Sequence, residues 1–204
     1  MEKQQITKAK ERLILAGIKV IEDNGIQGFS LRKAAEACGI SCAAPYKHFK
    51  NKEEFITRIV QYINDQWLEK QAIVIEKYKP DLKAQMIYIT LAYIDFLVNN
   101  PHFRSIIMIK DESLSAENNS IRYRISSKSS QLVESYCLEN DIPDALQKER
   151  LFMVRSLIYG ASLMFDNGEL AYNDENIQMI YNIIERAFDV SDEQKMIDKK
   201  VSKS

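Results

Sequence analysis

The stretch GFSLRKAAEACGISCAAPYKHFKNKEEF, residues 28–55, decides the fold because it contains the signals for two short helices and a tight turn. Ser30 is of a residue type favoured at the N-cap of a helix, and Gly39 can adopt the left-handed backbone conformation with which many helices end. Ser41 is a second N-cap candidate, and we expect a helix of about two turns to continue from it through Phe49. The stretch therefore predicts two short helices joined by a turn.

Two cysteines and a histidine in this stretch raise the question of a chemical site. Cys38, Cys42 and His48 follow the spacing C-x3-C-x5-H, which differs from the usual zinc spacings and supplies too few ligands. His48 lies six positions after Cys42, so the two would be poorly placed on one helix to act as base and nucleophile. We therefore expect no metal site and no catalytic residue, and we expect Cys38 to pack as a small apolar residue.

The alternative is a surface that reads nucleic acid. Two short helices joined by a glycine-containing turn form a helix-turn-helix, whose second helix presents side chains to base edges in the DNA major groove. Ala43 and Ala44 could contact thymine methyl groups, and Pro45 costs at most one hydrogen bond near a first helical turn. Side chains suited to phosphate contacts are Tyr46, Lys47, His48, Lys50 and Lys52. A basic, solvated helical hairpin in another kind of α-protein is the competing interpretation.

The same residues resemble the signature of the TetR family of bacterial one-component transcription factors. That signature runs approximately G-x-S/T-L/V-R-x-I-A-x-x-A-G-V-S-x-G-x-L/I-Y-x-H/Y-F-x-S/N-K-E-x-L. The matching positions are Ser30, Leu31, Arg32, Ala35, Gly39, Ser41, Tyr46, His48, Phe49, Lys52 and Glu53. Upstream, RLILAGIKVIEDNGIQGFS is similar to the family's first helix and its ending. The chain departs from the signature at Ala43, where glycine is usual, and at Pro45, where leucine or isoleucine is usual.

The resemblance implies a three-helix DNA-binding head, a fourth helix that leads into a larger helical body, and a body that binds a ligand and forms a homodimer. Carried over by position, it implies that Tyr46 and Lys52 bind phosphates and that Ser30 and Ser41 cap helices close to the DNA backbone. Lys47 is the best candidate base reader, since a lysine can donate to guanine O6 and N7. The predicted DNA-binding residues are Ser30, Arg32, Ser41, Cys42, Ala43, Ala44, Tyr46, Lys47, His48 and Lys52.

Outside this stretch, the spacing of apolar residues predicts helices and no strands, so the fold class is all-α. Asn51 and Glu54 form a capping box for a helix that follows the head, while residues 111–120, DESLSAENNS, have the composition of a loop. The other predicted helices cover 6–24, 31–37, 82–99, 101 onward, 120–139, 145–166 and 174–188. We expect a DNA-binding domain over 1–52, an effector-binding and dimerisation domain over 53–190, and a disordered tail over 191–204.

Charge is distributed unevenly along the chain. The formal net charge is −1, but residues 1–60 hold 11 Lys and Arg against 7 Asp and Glu. The remainder holds 17 Lys and Arg against 22 Asp and Glu. A basic first part followed by an acidic remainder is the pattern expected when one part meets a polyanion such as double-stranded DNA.

The composition argues against several other classes of protein. The chain is 46% hydrophobic with only 6 Gly and 4 Pro, which leaves room for long helices and disfavours a sandwich of many short strands. The most apolar segment, residues 86–98, is interrupted by Asp95 and is too short to cross a bilayer, so we expect no membrane partner. An odd number of cysteines, 3, and an N-terminus without a signal-peptide pattern indicate a cytoplasmic protein without a disulfide framework.

The body is expected to hold the site for an unknown small-molecule effector. Aromatic residues and methionines at helical spacing are typical of a core, but they also fit helices that enclose an apolar cavity. Asp95 and Arg155 each interrupt an apolar helix, and each could fix the polar end of a ligand, form a structural ion pair or lie on an exposed face. The candidate effector-binding residues are Trp67, Tyr93, Asp95, Phe96, Phe103, Tyr123, Arg155 and Tyr159. No cofactor is expected.

The last two long helices supply a candidate homodimer interface. Gly160, Ala161 and Ser162 are small enough to let a partner helix approach closely. The apolar stripe on the last helix comprises Ile177, Ile180, Ile184 and Phe188.

The sequence as a whole predicts a homodimeric transcriptional regulator, a repressor that releases a palindromic operator when its effector binds. An all-α small-molecule-binding protein or enzyme without operator binding stays open as an alternative, as does an adaptor that binds another protein. The sequence contains none of the common catalytic motifs, which favours the regulator over the enzyme.

Overall fold

The computed structural model of the protein describes the backbone of residues 2–108 and 116–189, and the side chains of 8–104, 106, 107, 120, 125 and 127–189. Every regular element in these ranges is a helix, which confirms the all-α prediction. The elements are α1 (Glu2–Gly28), α2 (Leu31–Cys38), a 3-10 helix (Ala44–Lys47), α3 (Lys52–Lys77), α4 (Leu82–Asn99), α5 (Pro101–Met108), α6 (Ala116–Glu139), α7 (Asp144–Asp166) and α8 (Asp174–Ala187). None of the helices so described is long and apolar enough to cross a membrane.

Four helices begin at a side chain that accepts a hydrogen bond from an otherwise free backbone N–H group of the first turn. The acceptors are Ser30 Oγ, from Lys33 N at 3.2 Å, Asn51 Oδ1, from Glu54 N at 2.9 Å, Asp81 Oδ1, from Ala84 N at 2.9 Å, and Asn173 Oδ1, from Asn176 N at 2.9 Å. Glu54 also accepts from the backbone N–H of Lys50 at 2.7 Å, so the predicted capping box is present in a variant form. These local interactions explain why the predicted starts of α2, α3 and α4 are correct.

α1 is longer than the predicted helix 6–24, but it contains the predicted break. Gly25 has φ 68° and ψ 170°, a conformation outside the helical region that separates the last turn from the rest of the helix. Ile26 and Phe29 follow the break and are both buried, 4% and 2% exposed. The bend at Gly25 therefore lies directly before the two apolar residues, Ile26 and Phe29, that are buried.

The predicted loop 111–120 is partly helical. Its second half, residues 116–120, forms the first turn of α6, whereas 111–115 lie outside the described residues. Alanine and glutamate at 116 and 117 favour a helix, and an acidic residue in a first turn interacts favourably with the helix dipole. The same polar residues that suggested a loop are therefore also compatible with a helix start.

The described chain divides into two compact units. The first comprises the chain up to Glu69 together with Asn99–Ser126, and the second comprises Lys70–Val98 and the chain from Ser127 onward. α3 and α6 therefore contribute residues to both units. The domain boundaries expected from the sequence, 1–52 and 53–190, stay a prediction, and the expected tail over 191–204 lies outside the described residues.

Three phenylalanines form the centre of the first unit. The ring of Phe55 lies 4.2 Å from that of Phe49 and 5.1 Å from that of Phe29, measured between centroids, and all three rings are buried. Gly17 of α1 faces this cluster, because a Cβ atom built on it would lie 2.4 Å from Cε1 of Phe55. The close approach of α1 to α3 thus depends on a residue without a side chain.

In the second unit, buried contacts to Phe188 hold the end of α8. Tyr136 donates a hydrogen bond from its hydroxyl to the carbonyl of Phe188 at 2.6 Å, and the two rings meet edge to face. The guanidinium of Arg150, itself buried, lies 5.2 Å from the centroid of the Phe188 ring. Phe188 is completely buried, so these contacts fix the end of α8 within its own chain.

Side chains that were predicted to form the homodimer interface are buried within the second unit. Ile180, Ile184 and Phe188 are core residues of the second unit, and Ala161 and Ser162 are buried too. The prediction that these five residues face a partner is therefore wrong. Helical periodicity identifies an apolar face, but it does not tell whether the chain itself or a partner covers that face.

Replacing Gly17 by alanine is expected to destabilise the protein. Helix propensity alone favours alanine over glycine by up to about 1 kcal/mol. The added methyl group would overlap the ring of Phe55, which Phe29 and Phe49 hold in place, and overpacking of this kind costs about 1–3 kcal/mol. We expect a net loss of about 1 kcal/mol in the free energy of unfolding, measured by urea denaturation.

Lys19→Ala, at an exposed position of the same helix, is the control and should change the free energy of unfolding by less than about 0.5 kcal/mol. A Gly17→Ala protein as stable as the wild type would contradict the packing described for Phe55.

Candidate DNA-binding site

The turn after α2 has the geometry expected of a glycine-terminated helix. Gly39 has φ 70° and ψ 31°, in the left-handed region, and its N–H donates to the carbonyl of Glu36 at 3.1 Å. The N–H of Ile40 donates to the carbonyl of Ala35 at 3.0 Å, as in the hydrogen-bond pattern with which many helices end. The predicted role of Gly39 is therefore confirmed, and the chain leaves α2 in a direction fixed by these bonds.

The segment that follows is shorter and more tightly wound than the predicted helix of two turns. It is a 3-10 helix over Ala44–Lys47, preceded by a turn in which the N–H of Ala44 donates to the carbonyl of Ser41 at 2.9 Å. Pro45 has no N–H group to continue a helical ladder, and its carbonyl accepts from both His48 and Phe49 at 2.9 Å. The proline that departs from the family signature thus sits where the helix is reduced to a single short turn.

Burial divides this segment into an inner and an outer side. Pro45 and Phe49 are buried, and Phe49 belongs to the phenylalanine cluster of the first unit. The outer side is exposed to solvent and consists of Ser41, Cys42, Ala43, Tyr46 and Lys47. Tyr46 is 62% exposed although it is a large aromatic residue. The structure thus brings five of the predicted DNA-binding residues together on one surface, with Ala44 half-buried beside them.

Arg32, on α2, lies next to this surface but already has a partner. Its Nε donates to the carboxylate of Glu36 at 3.0 Å, and both side chains are exposed. This hydrogen bond is the main reason that the pKa of Arg32 is raised, and the proximity of Cys42 raises it further. Because an exposed ion pair of this kind is weak, a phosphate could replace Glu36 as the partner of Arg32.

Two lysines bind backbone carbonyls at the end of α1. Lys52 Nζ donates to the carbonyl of Gln27 at 3.3 Å, and Lys33 Nζ donates to the carbonyl of Gly28 at 2.8 Å. Lys52 was predicted from the sequence, but Lys33 was not, because it matches no motif position. Its only sequence signal was its share in the positive charge of residues 1–60.

His48 is half-buried and packs its ring against Phe49, with 6.3 Å between centroids. The ammonium of Lys10, on α1, lies 5.6 Å from the centroid of Phe49. Lys10 is a second basic residue of the head for which no specific role is predicted from the sequence. Its position over the ring joins α1 to the segment that carries the exposed surface.

The three cysteines lie in different surroundings. Cys38 is half-buried, Cys42 is exposed and Cys137 is buried, and all three are free thiols. Among the described residues no group of three or more His, Cys, Asp and Glu side chains could hold a metal ion.

Two candidate effector residues of the first unit have partners within that unit. Trp67 is completely buried and donates from Nε1 to the carbonyl of Ile125 at 2.9 Å. The ring of Phe103 meets that of Tyr62 edge to face, with 6.3 Å between centroids. The side chain of Tyr123 lies outside the described residues.

The other candidates lie in the second unit. Tyr93 and Phe96 are buried, with 6.4 Å between their ring centroids. Asp95 is partly exposed and binds Lys70 at 3.3 Å and the hydroxyl of Tyr172 at 2.6 Å. Arg155 and Tyr159 are exposed on α7, where Arg155 donates to Ser130 Oγ at 3.3 Å.

The two charged candidates in this group, Asp95 and Arg155, therefore lie at the surface of the second unit. Tyr93 and Phe96 are the candidates of this unit that lie in its interior.

Comparison with known proteins places the head in a known class. Residues 13–59 match the family model of bacterial regulatory proteins, tetR family. The HTH-type transcriptional regulator YerO of Bacillus subtilis (strain 168) is 25% identical over 194 residues, which cover 91% of this chain and 65% of the relative. The chain thus spans somewhat less than two thirds of the length of this relative.

Two solved structures share the fold. A TetR family transcription regulator from Marinobacter aquaeolei VT8 aligns with a TM-score of 0.74 and 19% identity over 92% of this chain and 98% of its own. The transcriptional regulator FadR from Bacillus subtilis, in complex with stearoyl-CoA, aligns with a TM-score of 0.64 and 16% identity over 87% and 96%. At these identities the likeness concerns the fold alone.

Substitution of two lysines should separate base reading from phosphate binding. Lys47→Ala removes a donor from the exposed surface and should relax discrimination at one base position, while Lys52→Ala should weaken binding to all sequences by a similar factor. Each effect is measured by comparing dissociation constants for a selected DNA site and its single-base variants.

Lys148→Ala, an exposed lysine of α7, is the matched control and should leave all these constants unchanged. The melting temperature is measured in parallel, because Lys52 also binds the carbonyl of Gln27. The opposite pattern, with uniform weakening by Lys47→Ala and altered discrimination by Lys52→Ala, would mean that the two roles are exchanged.

Proposed function

We propose that the chain is a ligand-responsive transcriptional regulator of the tetR family that binds double-stranded DNA as a homodimer. The observation that carries the proposal is the exposed surface formed by Ser41, Cys42, Ala43, Tyr46 and Lys47. The same segment is held in place by the buried side chains of Pro45 and Phe49. This surface lies within the residues that match the family model. It presents small and donor side chains to solvent, as a groove-reading segment must.

We assign each side chain a role in base reading or phosphate binding according to its exposure. Lys47 reads a base edge through its ammonium group, and Cys42 and Ala43 allow the backbone to approach the groove closely. Tyr46 and Lys52 bind phosphates, as Arg32 does when it leaves Glu36. Ser30 and Ser41 contact the DNA backbone next to these residues, and His48 and Ala44 support the reading segment from their half-buried positions.

The homodimer is supported by apolar side chains that α7 and α8 leave exposed. Phe152 is 75% exposed, which is unusual for so large an apolar residue. Clustered exposed apolar side chains mark interaction sites in soluble proteins, and a two-fold helical interface is a common way to cover them. The exposed set is Phe152, Tyr159, Leu163, Met164, Met179 and Ile183. This set replaces the stripe that the sequence suggested.

Ligand control is proposed to act through the spacing of the two heads. A dimer binds successive major grooves when its reading segments lie about 34–36 Å apart. A ligand that binds a dimer of different spacing more tightly lowers DNA affinity by its difference in affinity for the two states. The complex of the fold neighbour FadR with stearoyl-CoA supports a ligand site in a body of this architecture. We propose a repressor that acts on bacterial DNA in the cytoplasm and has no enzymatic activity.

Selection of bound sequences from a random DNA pool tests the proposal. We expect a partly palindromic consensus with half-site centres about one helical turn apart, because a two-fold dimer presents the same surface to each half-site. Protein carrying both Lys47→Ala and Lys52→Ala is the control; it should retain less DNA and enrich a consensus without a preference at the base position that Lys47 reads. Failure of the wild-type protein to retain any sequence would exclude operator binding and would favour the all-α ligand-binding protein instead.

A further inference from the structure

Gln71 interrupts the apolar face of α3. Ile63 and Trp67 precede it at helical spacing and are completely buried, and Gln71 is itself only 5% exposed. Its amide nitrogen, Nε2, is buried and has no hydrogen-bond partner. A leucine or methionine at this position would continue the apolar face without burying a polar group.

A buried donor without an acceptor destabilises the protein that contains it, because the N–H groups have lost their bonds to water and gained none in return. Buried polar groups in native proteins are nearly always paired, so such an exception calls for a specific explanation. An acceptor that is supplied from outside the chain would pair this donor.

Two contacts show which part of α4 lies opposite Gln71. Lys70 Nζ binds the carboxylate of Asp95 at 3.3 Å, and the ring of Tyr78 stacks on that of Tyr88 at 3.9 Å with an interplanar angle of 4°. The two helices are therefore antiparallel over this region, and the part of α3 that contains Gln71 lies alongside the segment of α4 between Tyr88 and Asp95. Both helical segments belong to the second unit.

The buried residues of that segment are mainly apolar. They are Ile89, Thr90, Tyr93 and Ile94, each 4% exposed or less. The hydroxyl of Thr90 donates to the carbonyl of Met86 at 2.9 Å, so its hydrogen is already used within α4. Tyr93 is one of the residues that the sequence suggested for effector binding.

The charged residues of this region point to a neutral ligand. Lys70 and Asp95 bind each other at the surface, where their side chains are 45% and 41% exposed. An ionised group placed beside Gln71 would be surrounded by apolar side chains and would lack a free counter-charge in this pair. A neutral oxygen acceptor on an apolar molecule meets no such penalty.

We propose that Gln71 is the polar anchor of the effector site and that the effector is an apolar molecule with a neutral hydrogen-bond acceptor, such as a ketone, an ester or an amide. The inference rests on the proposed ligand-responsive function and names the ligand class and the residue that recognises it. The amide of Gln71 donates to the acceptor oxygen, while side chains between α3 and α4, including Tyr93, pack against the apolar part. Sites of this kind are mostly apolar with a few placed polar groups.

Three probes of equal chain length distinguish the ligand classes: 2-octanone, octanoate and octylammonium. Binding is measured by isothermal titration calorimetry and by the fluorescence of Trp67, the single tryptophan of the chain, one helical turn before Gln71. We expect saturable binding of 2-octanone at least about tenfold tighter than that of either ion, because only the ketone supplies an acceptor without a charge.

Gln71→Leu and Gln71→Met remove the donor while they keep most of the volume. Both should bind 2-octanone about tenfold more weakly than the wild type, since one hydrogen bond is lost. Without ligand, both should melt at the same temperature as the wild type or higher, because the unpaired donor is gone. Gln66→Leu, at an exposed position of the same helix, is the control and should leave binding unchanged.

The proposal is overturned if the wild type binds no 2-octanone, if either ion binds as tightly, or if both Gln71 variants bind 2-octanone as the wild type does. A strong loss of thermal stability in both variants would also contradict it, because it would show that the amide has a structural partner. These outcomes do not depend on DNA. If the protein binds 2-octanone through Gln71 but enriches no DNA sequence, the ligand site is supported and the proposed regulatory function is excluded.

Discussion

The packing of Phe55 against Phe29 and Phe49 is the contact on which the head depends. Phe29 follows the bend after α1, Phe49 follows the 3-10 helix, and Phe55 lies in the first turn of α3, so three separate segments meet in one apolar cluster. Gly17 allows α1 to approach the same cluster. Because the segment with the exposed surface is too short to be stable on its own, its position has to come from this burial.

The link from the core to the surface is short. Pro45 and Phe49 point inward from the same few residues whose Tyr46 and Lys47 point outward. The start of α3 holds the far end of this segment, because Glu54 accepts from the backbone N–H of Lys50 while Asn51 caps the helix. A change in the core beneath the segment would therefore displace the exposed side chains directly. Rigid support of this kind is what a groove-reading surface requires.

Local hydrogen-bond chemistry was predictable from the sequence, and long-range burial was not. Ser30, Gly39 and Asn51 act where their residue types predicted, because caps and turns depend on neighbours in the chain. The reduction of the reading segment to a 3-10 helix was missed, since Pro45 was interpreted as harmless near a first turn. The length of a helix around a proline depends on what the chain packs beneath it.

The candidate effector residues show the same limit. Asp95 and Arg155 are predicted to bind the effector because each interrupts an apolar helix. In the structure, however, Asp95 binds Lys70 and Tyr172 at the surface, and Arg155 is exposed on α7. Gln71 was overlooked because a neutral amide gives no charge signal in a sequence. Likewise, the stripe of Ile180, Ile184 and Phe188 resembled an interface, whereas the chain covers it itself. In each case burial, which depends on the whole fold, decided the role.

The dependence of operator affinity on salt tests most directly whether the basic head binds DNA through phosphates as well as bases. Dissociation constants for a selected site are measured between about 50 and 200 mM KCl, and the logarithm of the association constant is plotted against the logarithm of the salt concentration. A dimer that neutralises several phosphates in each half-site should lose affinity by a factor of about 10³ over this range. An affinity that stays constant with salt would contradict the assignment of this surface to DNA.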